Sequence, residues 1–142
     1  MATSEGYLTT QDGVRLFFQK MGIGPRTVVI PNAAYMFEDF KYLADDRTVI
    51  FYDLRNRGRS ESVTDASKLK GGVHLDVEDL ETIRRHFGIR PVDVIGHSYL
   101  GMVVALYAMK YRHTCRGSSP PKKSSVQSRH FSTAPGPVRR SR

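Results

Sequence analysis

Short apolar runs alternate with amphipathic segments along most of this chain. Residues 27–30 and 48–52 are continuous apolar runs, typical of strands that are covered on both faces. Near the start, two shorter runs flank Asp12-Gly13, a dipeptide that favours a hairpin because both residues tolerate positive φ. Strands and helices then alternate, which predicts an α/β fold with a mostly parallel sheet after an N-terminal antiparallel hairpin. The predicted strands are residues 6–10, 14–19, 27–30, 48–52 and 92–95, and the predicted helices are residues 37–43, 76–87 and 99–109.

The central stretch is residues 92–109, where a strand, a serine and a helix follow one another directly. A β-branched run ends at Gly96, Ser98 comes two residues later, and an almost wholly apolar helical run begins at once. The segment GHSYLG fits the G-x-S-x-G pattern of a nucleophile elbow, except that Leu100 stands where the second glycine is expected. The alternative interpretation is a serine that only caps the following helix.

An elbow would meet part of what a serine nucleophile needs. The sharp turn projects Ser98 outward and directs the backbone amide of Tyr99 at a reacting carbonyl. Gly96 and Gly101 would allow close packing where a Cβ would collide with a neighbouring element. We therefore predict Ser98 as a catalytic nucleophile and the Tyr99 amide as one oxyanion donor.

With these motifs, the chain resembles the N-terminal half of an α/β-hydrolase of the proline iminopeptidase-like group, over about residues 6–111. The strand and loop at residues 28–34, the polar loop at residues 53–60 and the elbow carry the resemblance. It implies that the backbone of Ala34 is the second oxyanion donor and that His97 supports the elbow without acting as the base. It also implies structural roles for four residues of the polar loop, namely Asp53, Arg55, Gly58 and Ser60.

The resemblance also implies a substrate class and exposes a gap. Full-length relatives would hydrolyse a small ester or a peptide-like aminoacyl amide. In this fold, the acid and then the histidine follow the serine along the chain, yet no Asp or Glu follows Ser98, and Asp93 is the last acidic residue. We find no triad acid and no triad histidine, so we expect this chain to be inactive. His74 and His86 precede the serine and are expected to be solvated or locally bonded, whereas His113 and His130 lie in a low-complexity tail.

Charge divides the chain near residue 111. The net charge is +8, and residues 1–111 are neutral, so the whole excess lies in residues 112–142. That segment is rich in Ser, Pro and Arg and contains no acid, a composition typical of disorder. We predict a partial hydrolase domain at residues 1–111 and a disordered basic tail at residues 112–142. One hypothesis for the tail is a frameshifted or mis-spliced reading.

Other features limit the remaining function classes. Cys115 is the only cysteine, which favours a reducing compartment such as the cytoplasm, and no secretory signal is recognisable. No apolar run reaches the roughly 18 residues of a membrane span. No cofactor is expected, because neither a metal-ligand cluster nor a phosphate-binding glycine loop is present. Two non-catalytic alternatives stay open: binding of a ligand or partner, including self-association through an exposed sheet edge, and, ranked last, polyanion binding by the tail. Nucleic acid is therefore not the expected partner.

Overall fold

The computed structural model describes residues 2–116 and consists of one sheet with helices on both faces. Three short 3₁₀ turns at residues 41–45, 66–68 and 112–114 connect the main elements. The strands are β1 (Thr3–Thr9), β2 (Arg15–Met21), β3 (Thr27–Pro31), β4 (Thr48–Tyr52) and β5 (Asp93–Val94), and the helices are α1 (Ala33–Phe40), α2 (Val73–His86) and α3 (Tyr99–Lys110).

The strand order confirms the predicted α/β class. The order across the sheet is β1-β2-β4-β3-β5. β1 and β2 form the predicted antiparallel hairpin, with Gly13 at φ 85° in its turn. β2 joins the sheet antiparallel to β4, whereas β4, β3 and β5 are parallel. The carboxyl ends of these three parallel strands therefore meet at one rim of the sheet.

β4 is a continuous apolar run because both of its faces are covered. Val49 and Phe51 belong to the cluster beneath α1, while Ile50 and Tyr52 belong to the cluster beneath α2 and α3. All four are completely buried. Burying an apolar side chain of this size contributes about 1.5–3 kcal/mol, so this strand anchors both layers.

The predicted boundaries between β3 and α1 differ from the structure. The run from Pro31 to Ala34 was expected to be a loop, but Pro31 ends β3 and Ala33 begins α1, leaving one linking residue. That residue, Asn32, has φ 71° and ψ 67°, so a single left-handed residue turns the chain from strand to helix. α1 accordingly begins four residues before the predicted start at Phe37.

The elbow strand lies at the edge of the sheet and is shorter than expected. β5 pairs with β3 only through Val28–Asp93 and Val29–Val94. On its outer side, Val92 forms a parallel bridge with Cys115. Val92 N–H donates to the Thr114 carbonyl at 2.8 Å, and the Val92 carbonyl accepts from Arg116 N–H at 3.0 Å. The sheet edge is thus partly covered by the segment that follows α3.

In the same segment, regular structure extends past residue 112, where the tail was predicted to begin. Residues 112–114 form a 3₁₀ turn, and Tyr107 Oη lies 3.1 Å from Thr114 Oγ1. The described structure therefore continues to Arg116, five residues beyond the predicted domain boundary at residue 111. The rest of the predicted tail, residues 117–142 with His130, lies outside the described residues, so polyanion binding by the tail stays a prediction. Within residues 2–116, none of the helices has the length and hydropathy to cross a membrane.

Candidate active site

The loops after β3, β4 and β5 lie together at the rim. Val29 of β3 is in register with Val94 of β5, and Ile95 N–H donates to the Val29 carbonyl at 3.2 Å. Asn32 N–H donates to the Tyr52 carbonyl at 2.7 Å, which joins the ends of β3 and β4. The rim therefore brings the starts of α1 and α3 to the same edge of the sheet.

Ser98 occupies the turn between β5 and α3 in a strained conformation. Its φ is 56° and its ψ is −125°, an unusual backbone region for a residue with a Cβ. Such strain costs on the order of 1–3 kcal/mol and persists only where surrounding structure enforces it. The Ser98 side chain is exposed and makes no capping hydrogen bond to α3. Ser98 is therefore the N-cap residue of α3 by position, but its side chain does not cap the helix.

One of the two elbow glycines is required by the local backbone. A Cβ on Gly96 would collide with the carbonyl group of Leu100, so the turn can close only on a glycine. A Cβ on Gly101 would meet the Gly96 carbonyl oxygen at 3.6 Å, an ordinary contact. Within the described residues, the tight packing expected at both glycines is thus needed only at Gly96.

The two predicted oxyanion donors occupy equivalent places at the rim. Ala34 is the second residue of α1, and Tyr99 is the first residue of α3. First-turn amides have no acceptor within their own helix and carry the positive end of its dipole. Both residues are exposed. This placement is the one that an oxyanion hole formed by the two amides would require.

The side chain of Tyr99 makes a contact that the sequence pattern did not indicate. Its hydroxyl donates to Asp76 Oδ2 on α2 at 2.6 Å, and the guanidinium of Arg57 lies 5.9 Å from its ring centroid. Burial and the neighbouring Asp76 carboxylate raise the pKa of Tyr99 to about 12. Burial also raises the pKa of Asp76, although the hydrogen bond from Tyr99 opposes the rise. This contact ties the first residue of α3 to the first turn of α2.

The polar loop after β4 fixes the rim through Arg55. Arg55 forms two hydrogen bonds of 2.7 Å to the buried carboxylate of Asp79, and it also binds both oxygens of Asp12 in the hairpin turn. These carboxylates hold the pKa of Arg55 above its usual range. The same guanidinium lowers the pKa of Asp12 to about 2. Arg55 therefore links the hairpin, the loop and α2.

The other loop residues also make structural contacts. Ser60 accepts from Phe17 N–H at 2.9 Å and donates to the Asp53 carbonyl at 2.7 Å, which bridges β2 and the end of β4. Gly58, with φ 53°, passes so close to the Asp53 carboxylate that a Cβ would overlap it. These contacts are consistent with the structural roles implied for the loop.

No described histidine is hydrogen-bonded to Ser98. His97 is exposed, so the packing behind the elbow expected for it is not seen in residues 2–116. His74 and His113 are also exposed, and His86 packs its ring against Phe18 and Phe87. Across this part of the chain, no hydrogen bond reaches Ser98 Oγ from an imidazole or a carboxylate, and no group of three or more potential ligands could hold a metal.

The comparison with known proteins identifies the family. A profile of the alpha/beta hydrolase fold matches residues 30–122, more than half of the chain. The chain belongs to the alpha/beta hydrolase family. One relative in this family, a proline iminopeptidase from Heyndrickxia coagulans, is 31% identical over 113 residues, which are 75% of this chain and 38% of that protein. A bifunctional esterase/perhydrolase from Acinetobacter calcoaceticus is 28% identical over 115 residues, 75% of this chain and 40% of that protein.

A solved structure extends the comparison to the fold. An alpha/beta hydrolase from Novosphingobium aromaticivorans matches with a TM-score of 0.70 and 28% identity, covering 81% of this chain and 42% of that one. This alpha/beta hydrolase chain therefore spans about two fifths of the length of these relatives. The resemblance to the proline iminopeptidase-like group is confirmed. The family match also passes residue 111, where the resemblance was predicted to end.

Proposed function

We propose that Ser98 is the nucleophile of a serine hydrolase and that the amides of Ala34 and Tyr99 bind the oxyanion. The observation that carries the proposal is the strained backbone of an exposed serine between β5 and α3. A serine without a capping role has no structural reason to hold this conformation, whereas a nucleophile gains exposure and an adjacent amide from it. The similarity to a proline iminopeptidase and to an esterase/perhydrolase favours an aminoacyl amide or an ester as substrate.

We expect little turnover from this chain by itself. Ser98 Oγ has no hydrogen-bonded base within residues 2–116, and no acidic residue follows it in the sequence. An oxyanion hole and substrate binding without a triad accelerate hydrolysis only about 10³-fold over water. The site therefore holds a serine that is positioned for attack but is only weakly activated, because it lacks a base among the described residues.

The test is covalent labelling of the full chain with a fluorophosphonate, followed by mass spectrometry of the modified peptide. We expect slow labelling at Ser98, no labelling of Ser98→Ala, and unchanged labelling of Ser62→Ala, which alters an exposed serine in a loop. Hydrolysis of p-nitrophenyl acetate and of prolyl p-nitroanilide would then show the preferred acyl group. Labelling spread equally over several serines would refute the assignment of Ser98.

A second candidate function is self-association through α3. Met102 and Met109 on this helix are 47% and 74% exposed, and β5 beside it pairs with β3 through only two residues. An apolar helix face at a sheet edge favours association with a second copy. Sedimentation velocity over a hundredfold concentration range would show a dimer, and Met109→Lys would restore the monomer. A monomer at all concentrations would rule this function out.

A further inference from the structure

A cleft of about 330 Å³ lies at the rim on the α1 side, apart from the Ser98 side chain. Ala34 and Phe37 of α1 form one wall, Phe17 of β2 forms part of another, and Asp53 and Arg59 come from the loop after β4. The volume falls at the lower end of the range of small-molecule sites. The cleft therefore has room for a ligand about the size of one ring with a short substituent.

The carboxylate of Asp53 is the unusual feature of this cleft. Asp53 is only 3% exposed. Its Oδ2 accepts the backbone N–H of Arg59 at 2.9 Å, but its Oδ1 is buried and has no hydrogen-bond partner among residues 2–116. A buried polar atom left without a partner carries a free-energy cost. One acceptor site on this carboxylate is therefore open to a donor.

Asp53 also lacks a compensating charge. Within the described part of the chain, no lysine or arginine side chain forms an ion pair with it, whereas the equally buried Asp79 is bound twice by Arg55. Buried carboxylates in proteins are normally paired with a cation. The open acceptor of Asp53 is therefore better matched by a positively charged donor than by a neutral one.

The positive side chains beside the cleft are already paired. Arg59 lies 3.7 Å from the Glu5 carboxylate, and Lys41 lies 2.7 Å from that of Glu38. Both cations also lie over the aromatic walls. Among these charged groups of the described chain, Asp53 is the one without a compensating partner, and this favours a cationic ligand.

We propose that this cleft binds the primary ammonium group of a small ligand, with Asp53 Oδ1 as its acceptor and the rings of Phe17 and Phe37 as its walls. Because Oδ1 is buried, binding requires the loop that carries Arg59, whose side chain is 64% exposed, to move aside. The proposal is independent of the serine chemistry and holds whether or not Ser98 reacts.

The test is a titration of the isotopically labelled full chain with benzylammonium, followed by two-dimensional amide NMR. We expect the amides of Gly58 and Arg59 to shift in a saturable manner. Benzyl alcohol, which has a similar shape but no charge, and phenylacetate, which carries a negative charge, should leave them nearly unchanged. Asp53→Asn keeps an acceptor for the Arg59 amide and should weaken benzylammonium binding about tenfold or more.

The matched control is Asp39→Asn, which removes a carboxylate from the exposed side of α1 and should leave the binding unchanged. Equal shifts with benzyl alcohol, preferential binding of phenylacetate, or an unaltered affinity in Asp53→Asn would each overturn the proposal. If Asp53→Asn fails to fold, the comparison of the three probes on the wild-type chain still decides between an ammonium site and no such site.

Discussion

Tyr99 Oη donates a 2.6 Å hydrogen bond to Asp76 Oδ2, which joins the residue after the candidate nucleophile to a buried acid on α2. α2 therefore fixes the start of α3 through a specific polar contact as well as through apolar packing. Because the Tyr99 amide is also the proposed oxyanion donor, the orientation of that amide depends partly on a carboxylate 23 residues earlier in the chain.

Tyr99→Phe should lower the free energy of unfolding by about 1–3 kcal/mol at neutral pH, because it leaves Asp76 buried without its donor. The bond from Tyr99 lowers the pKa of Asp76, so the variant should protonate this acid at a higher pH than the wild type does. The difference between the two proteins should therefore shrink as the pH falls. Urea denaturation at several pH values measures it, with exposed Tyr35→Phe as the control. A deficit that is constant with pH would contradict the role of Asp76.

Ser98→Gly should stabilise the fold while it abolishes fluorophosphonate labelling. Glycine adopts φ 56° without strain. The free energy gained by relieving this strain should exceed the extra conformational entropy that glycine loses on folding. The net increase in the free energy of unfolding should be about 1 kcal/mol. Ser98→Ala removes the hydroxyl but keeps the strain, so its stability should match that of the wild type. Thermal unfolding distinguishes the variants, and Ser62→Gly serves as a control at an exposed position without positive φ. A lower melting temperature for Ser98→Gly would show that the turn stores no strain.

The two elbow glycines should respond differently to alanine. Gly96→Ala forces a methyl group into the backbone of Leu100 and should cost about 1–3 kcal/mol or prevent folding. Gly101→Ala places its methyl group at ordinary contact distance within α3, so helix propensity should make it neutral or slightly stabilising. Chemical denaturation of both variants checks this. Equal destabilisation at the two positions would mean that another part of the protein packs against Gly101.

Asp12 should contribute to stability at neutral pH and lose that contribution in acid. Its pKa lies at about 2 in the fold, below the ordinary value of 3.8. A lowered pKa adds stability above the unfolded value that disappears as the pH falls through the folded value. Asp12→Asn should therefore be less stable than the wild type at pH 7, and the two curves should converge near about pH 2. A parallel pair of curves would contradict the ion pair with Arg55, and Asp39→Asn provides the control.

The strands and the elbow could be predicted because local pattern determines them. β4 is buried at every position and largely apolar because both of its faces are covered, and Gly96, two residues before Ser98, marks the tight turn. The start of α1 was misplaced because its position depends on one left-handed residue, Asn32. A run of small and polar residues does not indicate which of them will adopt the left-handed conformation between the strand and the helix.

The polar contacts of α2 could not be predicted from the same pattern. Periodicity places acidic side chains of an amphipathic helix in solvent, yet Asp76, Asp79 and Glu81 are all buried. Each is buried because another element brings it a donor. Those donors are Tyr99, Arg55 and Tyr107. Partners so distant along the chain leave no periodic signal, so the support of the candidate site became visible only in the structure.

The backbone amide of Val92 reports local opening at the outer side of the elbow strand. Its side chain is fully buried, and its amide hydrogen is bonded to Thr114 on the outer side of β5. That hydrogen can exchange with deuterium only when the segment at residues 112–116 detaches from the strand. The exchange rate of this one amide therefore measures how often the chain after α3 releases the strand that leads to Ser98.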